Sequence, residues 1–272
     1  MTMQTGTVIS DNAELVFDYE GSGPLLLTIS GGGGTAPRFA PISSLLKDDY
    51  TVVRYDRRGN SRSTGDKTKP LDMAQQARDA AAIINALGKD GAYVLGESAG
   101  ANIALALVAD HPNVVRGAVF HEPPIISLLP DAAEQFAFLD EVADLYEREG
   151  APAAMHLFAK SIIGFAPTVE ADERRMGDAD ATSNLDFFFA KEFHNISHFK
   201  PNLERLKHSK VPMVAVAGKK SGTAYYARST KLLSEAIGCR FSLMSEHHLG
   251  FIAEPATFAA EIRPLLNDLR QS

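Results

Sequence analysis

Ala92-Tyr93-Val94-Leu95-Gly96-Glu97-Ser98-Ala99-Gly100-Ala101 joins an apolar run, a Gly-x-Ser-x-Gly turn and the start of an alanine-rich stretch, in that order. Physically this reads as strand, sharp turn, helix. A turn that tight lifts the Ser98 hydroxyl clear of the strand, and the two glycines let neighbouring backbone approach without a Cβ collision. Ala99 begins the helix, so its free amide and the positive end of the helix dipole face any oxyanion formed at a carbonyl attacked by Ser98. The stretch predicts a strand over 92–97 and a nucleophilic serine at its end.

Working outward, short apolar or β-branched runs alternate with helical patterns, the signature of strands joined by crossover helices into a mostly parallel sheet. Thr5 to Ser10 and Glu14 to Tyr19, separated by Asp11-Asn12, form an opening hairpin. Leu25 to Ser30, Thr51 to Asp56, Ala92 to Glu97 and Val115 to Glu122 follow as strands, and their carboxyl ends are where such sheets place ligands. Asp72 caps a helix whose Ala77, Ala80, Ala81, Ile84 and Leu87 recur at helical spacing and which Gly88 ends. After Pro123-Pro124 the strand pattern stops and helical stretches rich in acidic and aromatic residues take over, until Val211 to Ala217 resumes it. Phe241 to Met244 and a helix from about Pro255 to Leu269 complete the chain. The expected organisation is a core of residues 1–126 and 206–272 with a helical cap, 127–205, inserted between strands.

The chain has 272 residues, 45% apolar and 22% charged, as an ordinary globular α/β domain does. Cys239 is the only cysteine, so neither an intrachain disulfide nor a cysteine zinc cluster can form. The start Met-Thr-Met-Gln-Thr-Gly-Thr-Val lacks the features of a signal peptide and no apolar run reaches membrane-spanning length, which gives a cytoplasmic expectation with no membrane partner. The net charge of −7 is concentrated: Ser127 to Arg205 carries 15 Asp or Glu against 7 Lys or Arg. Without a basic stripe, nucleic acid is not an expected partner. A small-molecule substrate is expected, and a homodimer is left open.

Two further groups complete a hydrolytic site. Ser30-Gly31-Gly32-Gly33-Gly34 follows the strand Leu25 to Ile29 and leaves bare amides, with Gly32 the expected second oxyanion donor; a flexible turn is the plain alternative, and the Lys-Ser/Thr ending of a phosphate loop is absent. Ser245-Glu246-His247-His248-Leu249-Gly250-Phe251 follows the last strand, and either histidine can serve as base; His248, preceding Leu-Gly-Phe, is the choice. His194 and His198, four apart, could share a helix face and bind a metal, but no third ligand is evident in the sequence, so no metal and no cofactor are expected.

The order Tyr55-Asp56-Arg57-Arg58-Gly59-Asn60-Ser61, Gly96-Glu97-Ser98-Ala99-Gly100, then His248-Leu249-Gly250-Phe251 with Glu254-Pro255, resembles the α/β-hydrolase superfamily over essentially the whole chain. The resemblance implies an α/β-hydrolase fold: a mostly parallel eight-stranded sheet flanked by helices, with a cap over the site, and Asp56 and Gly59 shaping a structural turn. One departure stands out. The superfamily usually carries an aspartate just past the strand read as Val211 to Ala217, whereas this chain has Gly218-Lys219-Lys220-Ser221-Gly222 and no acid from Lys219 to Ala227. A triad histidine without a carboxylate loses about four orders of magnitude. Glu122, in His121-Glu122-Pro123-Pro124, is the replacement, a placement similar to that of zearalenone lactonases, and its extra methylene suits an acid arriving from a neighbouring strand. The plain alternative pairs it with His121 or a lysine. The expected function is a serine hydrolase, cytoplasmic, cleaving a neutral hydrophobic ester or lactone through an acyl-enzyme. Carbon-carbon bond hydrolysis or perhydrolysis with the same triad, and a low-turnover receptor, are the alternatives.

Overall fold

The computed structural model describes residues 2–88, 90–165 and 178–271. Eight strands form one sheet in the order β1-β2-β4-β3-β5-β6-β7-β8. They are β1 (Gln4–Ser10), β2 (Ala13–Gly21), β3 (Leu25–Ile29), β4 (Thr51–Tyr55), β5 (Ala92–Glu97), β6 (Val115–His121), β7 (Met213–Gly218) and β8 (Arg240–Met244). The β1–β2 and β2–β4 pairings are antiparallel and the rest parallel. Parallel strands covered on both faces are apolar throughout, and β5 is buried at every position. The strand order reverses beside β3, which puts the carboxyl ends of β3 and β5 at a natural crevice.

Helices α1 (Ala40–Leu46), α2 (Met73–Leu87), α3 (Ala99–Asp110), α4 (Ala132–Glu149), α5 (Ala151–Ala159), α6 (Asp178–Phe187), α7 (Phe193–Ser197), α8 (Leu203–His208), α9 (Tyr225–Ile237), α10 (Gly250–Ala253) and α11 (Pro255–Gln271) complete the chain. The start of α2 is fixed where the sequence indicates: the Asp72 side chain accepts from the Ala74 amide, and Gly88 closes the other end. α1 and α11 pack together on one face of the sheet, α2 and α3 on the other, and each face has its own buried apolar cluster. Between β6 and β7 the described residues contain helices and no strand; the helical reading of residues 166–177 lies outside the described residues. No described helix is long and apolar enough to cross a membrane.

One irregularity shapes the inserted helices. Residues Phe188–Glu192, between α6 and α7, wind as a π turn. The wider turn changes the phase of the helix face, and π turns recur at functional sites. Here it buries Phe188, Phe189 and Glu192 together, so that one short segment presents rings and a carboxylate inward.

Candidate active site

Ser98 sits between β5 and α3 with φ 55° and ψ −123°, a conformation that a non-glycine residue adopts only under constraint. The cost is of order 1–3 kcal/mol and the neighbouring packing must supply it. The glycines explain how. A Cβ on Gly100 would overlap the Ile29 carbonyl oxygen, and one on Gly96 would overlap the Gly100 carbonyl oxygen. Only glycine lets α3 start this close to the end of β3. The Ser98 amide donates to the His121 carbonyl at 2.9 Å, which ties the turn to β6.

Glu122, one strand over, also sits at positive φ. It follows β6 with φ 49°, its amide donating to the Val216 carbonyl at 3.0 Å. The side chain is fully buried and each oxygen is engaged: Oε1 accepts from the Gly218 amide at 2.8 Å, and Oε2 accepts from Ser221 Oγ at 3.1 Å and from His248 Nδ1 at 2.8 Å. Burial works against the carboxylate, but the His248 hydrogen bond, the nearby His121 and His248 and the Gly218 amide outweigh it, holding the Glu122 carboxyl below the usual range. An ionised Glu122 can only accept, so Nδ1 of His248 carries the hydrogen and Nε2 is left to accept one.

His248 is 3% exposed and follows β8 in the chain. Its ring packs against Tyr226 at 4.2 Å between centroids, and the Tyr226 hydroxyl accepts from the Ile163 amide at 2.9 Å, so the ring is braced from outside. The other ring nitrogen meets a group that sequence reasoning did not single out. Nε2 lies 3.3 Å from Oε1 of Glu97, which is 2% exposed and whose other oxygen accepts from the Gly31 amide at 3.2 Å. The imidazole therefore stands between two buried carboxylates. The available signal was the position of Glu97 inside the turn itself, where a charged side chain beside the serine must be buried.

Ser98, Ala99, Gly32, Gly33, Glu97 and His248 line one cavity of about 300 Å³. Its remaining wall is mostly apolar, with Leu139, Met155, Phe158, Phe188, Phe193 and Ile196 supplied by the helices between β6 and β7. The structure thus brings Ser98, His248, Gly32 and Ala99 to one cavity, with Glu122 behind His248. His247 is not among the lining residues; its Nδ1 accepts from the Leu249 amide at 3.2 Å. Glu122 is paired with His248 and not with His121 or a lysine, and the His121 Nδ1 is buried without a hydrogen-bond partner among the described residues.

The glycine loop is held by a second group the sequence hid. Arg57, fully buried, donates to the Gly31 carbonyl at 3.0 Å and makes two 2.8 Å bonds to Glu192 of the π turn; Asn60 adds a 3.1 Å bond to the same carboxylate. Removing one partner of such a buried pair leaves a charge uncompensated, at a cost of about 3–5 kcal/mol. Arg57 lies within the recognised Asp-Arg-Arg-Gly stretch, but its partner is 135 residues away and carried no local signal. Asp56 accepts from the Ala36 amide at 2.8 Å and pairs with Arg62, a turn-shaping role.

Comparison with known proteins agrees with this geometry. Residues 24–184 match the alpha/beta hydrolase fold family. The chain is 27% identical, over 98% of its length and 97% of the other's, to the uncharacterized hydrolase YraK of Bacillus subtilis. Among solved structures it is similar to a thermophilic esterase from Thermogutta terrifontis, with a TM-score of 0.79 and 19% identity over 98% of this chain and 99% of that one. It is likewise similar to the enol-lactonase from Burkholderia xenovorans LB400, with a TM-score of 0.74 and 18% identity over 96% and 100%. At such identities the likeness to the two structures is one of fold. With the family matched over more than half of its length, and with the sheet order, the strained serine turn and the histidine after β8 in place, the chain belongs to the alpha/beta hydrolase fold family.

Proposed function

We propose that this protein is a serine hydrolase acting on neutral, mid-sized, hydrophobic carboxylic esters or lactones through an acyl-enzyme. The observation that carries the reading is the 2.8 Å bond from His248 to a fully buried Glu122, which sets the tautomer a general base needs. Nε2 takes the Ser98 hydroxyl proton as Oγ attacks the carbonyl carbon. The Gly32 and Ala99 amides take the oxyanion, and Nε2–H then protonates the departing alcohol oxygen. In a lactone that oxygen stays attached to the acyl chain. Water, deprotonated by the same nitrogen, cleaves the acyl-enzyme and restores Ser98.

Glu97 has a part in this reading. In both steps the imidazole becomes an imidazolium, and a buried carboxylate 3.3 Å from Nε2 stabilises that charge from the side opposite Glu122. Residues 127–205 serve as the cap: their aromatic side chains form the apolar wall, and burying about 100 Å² of substrate there contributes roughly 2.5 kcal/mol. The cavity lining carries Arg38, which donates to the Gly32 carbonyl at 2.6 Å and lies over the Phe251 ring, and the carboxylate Glu97, so it holds no excess of positive charge to attract an anionic substrate.

The test compares kcat/KM for a neutral aryl ester and for a matched analogue with a remote carboxylate, at low salt. The neutral ester should be preferred by about tenfold or more, the equivalent of about 1.4 kcal/mol. Equal or better turnover of the anionic analogue would overturn the substrate class, and no turnover of either would overturn the activity.

A further inference from the structure

His194 and His198 lie one helical turn apart at α7, and the sequence offered no third ligand for them. The fold supplies one. Asp140 of α4 places Oδ1 3.5 Å from His198 Nε2, and one donor atom each from Asp140, His194 and His198 lie within 4.8 Å of one another. The His198 ring is clamped on both faces, by His194 at 4.2 Å and by Phe136 at 4.7 Å between centroids.

The hydrogen-bond chemistry is the second observation. His198 Nδ1 lies 3.1 Å from the His194 carbonyl oxygen, which can only accept, so Nδ1 carries the hydrogen. Nε2, the other ring nitrogen, faces the Asp140 carboxylate oxygen at 3.5 Å. A ring nitrogen bound to backbone carbonyl with the other nitrogen free is the arrangement that orients metal-ligating histidines.

We propose that Asp140, His194 and His198 form a binding site for a divalent transition-metal ion of the zinc class, with water completing the coordination. Two imidazoles and one carboxylate suit zinc, and imidazole donors disfavour magnesium and calcium. Tetrahedral zinc with bonds of about 2.1 Å needs donors about 3.4 Å apart, a separation that Asp140 and His198 already have at 3.5 Å, so the cluster closes by at most about 1.4 Å. Asp140 and His194 are exposed, and His194 has to turn out of its 4.2 Å stack on His198 to aim a lone pair at the same ion. The local excess of acidic residues, 15 against 7 basic over Ser127 to Arg205, favours a cation here.

The site sits outside the cavity and acts on its wall. None of the three ligands lines the cavity, but their chain neighbours Leu139, Phe193 and Ser197 do. An ion bridging α4 and α7 ties together two neighbouring helices that each carry part of the apolar wall, so its effect is on wall rigidity and substrate entry and not on the reacting atoms.

The experiment is isothermal titration of metal-stripped full-length protein with zinc, and separately with magnesium, alongside melting curves with and without zinc. Expected are one zinc site, a raised melting temperature with zinc, and no comparable response to magnesium. His198→Ala and, as the milder change, Asp140→Asn should each weaken zinc binding by about 10- to 100-fold, with far-ultraviolet circular dichroism and the metal-free melting temperature unchanged. Zinc binding that survives both substitutions, equal binding of magnesium, or no binding up to about 1 mM zinc would overturn the proposal.

Discussion

The carboxyl ends of β6 and β7 lie side by side in the sheet and divide one task between them. β6 ends in Glu122, a buried acid at positive φ; β7 ends in Gly218-Lys219-Lys220-Ser221, with no acid at all. Yet both ends converge on the same two oxygen atoms, because the Gly218 amide and the Ser221 hydroxyl donate to the carboxylate that β6 delivers. What the histidine requires is a carboxylate oxygen at Nδ1, and the sheet can present it from either strand provided that the other strand supplies donors. The longer Glu side chain and the left-handed backbone together span the extra distance.

This division can be broken from either side. Glu122→Gln keeps the shape and removes the charge, and kcat for ester hydrolysis should fall on the order of 10²–10⁴, with the protein still folded but its melting temperature lowered, because the charge also contributes to stability. Adding Ser221→Asp to that variant returns the acid to β7, and a recovery of about tenfold would sharpen the comparison. A Glu122→Gln enzyme of undiminished kcat would break it. Glu97→Gln addresses the second carboxylate. It retains an acceptor for the Gly31 amide but no charge for the imidazolium, so kcat should fall about tenfold with KM nearly constant, whereas a role in substrate binding would raise KM instead.

Ser221→Ala tests the donor side alone. One neutral hydrogen bond is lost while Glu122 retains Gly218 and His248, so a stability loss of about 1 kcal/mol and a severalfold drop in kcat are expected. A loss as large as that of Glu122→Gln would mean that Ser221 does more than support the acid.

The smallest effect concerns stability against pH. Burial lowers the proton affinity of His121 below its ordinary value of 6.5. Below about pH 6.5 the unfolded chain takes up a proton that the folded one resists, so stability falls as the pH drops. Glu122 has the same sign at lower pH: its folded pKa lies below the ordinary value, so its contribution is present above that value and lost as the pH falls through the folded pKa. Burial lowers His247 in the same direction, so the two histidines share the first stage. Melting temperatures measured from neutral to acid should therefore decline in two stages, and His121→Leu should shrink the first and leave the second; identical profiles for the two proteins would contradict this.

Much of the fold was legible because it is locally encoded. The strand 92–97, the Asp72 cap and the Gly88 stop each depend on residues within a few positions of one another. Ser98 and His248 were likewise findable from turn chemistry and chain order, and Glu122 from a missing acid elsewhere. What escaped was set by contacts between distant segments. Arg57 meets Glu192 within a π turn, which shifts the phase of a helix in a way that simple periodicity cannot track. Asp140 joins His194 and His198 only once α4 and α7 pack. Glu97 stood in plain view within the motif, but its burial against His248 depends on where β8 delivers the histidine.

The most direct test of the account is covalent labelling of the purified protein with a fluorophosphonate, followed by peptide mapping and by the labelling rate of Glu122→Gln. The account predicts a single adduct on Ser98, absent from Ser98→Ala, forming at least about 10²-fold more slowly in Glu122→Gln. An adduct on another residue, or equal rates in the wild-type protein and Glu122→Gln, would contradict it.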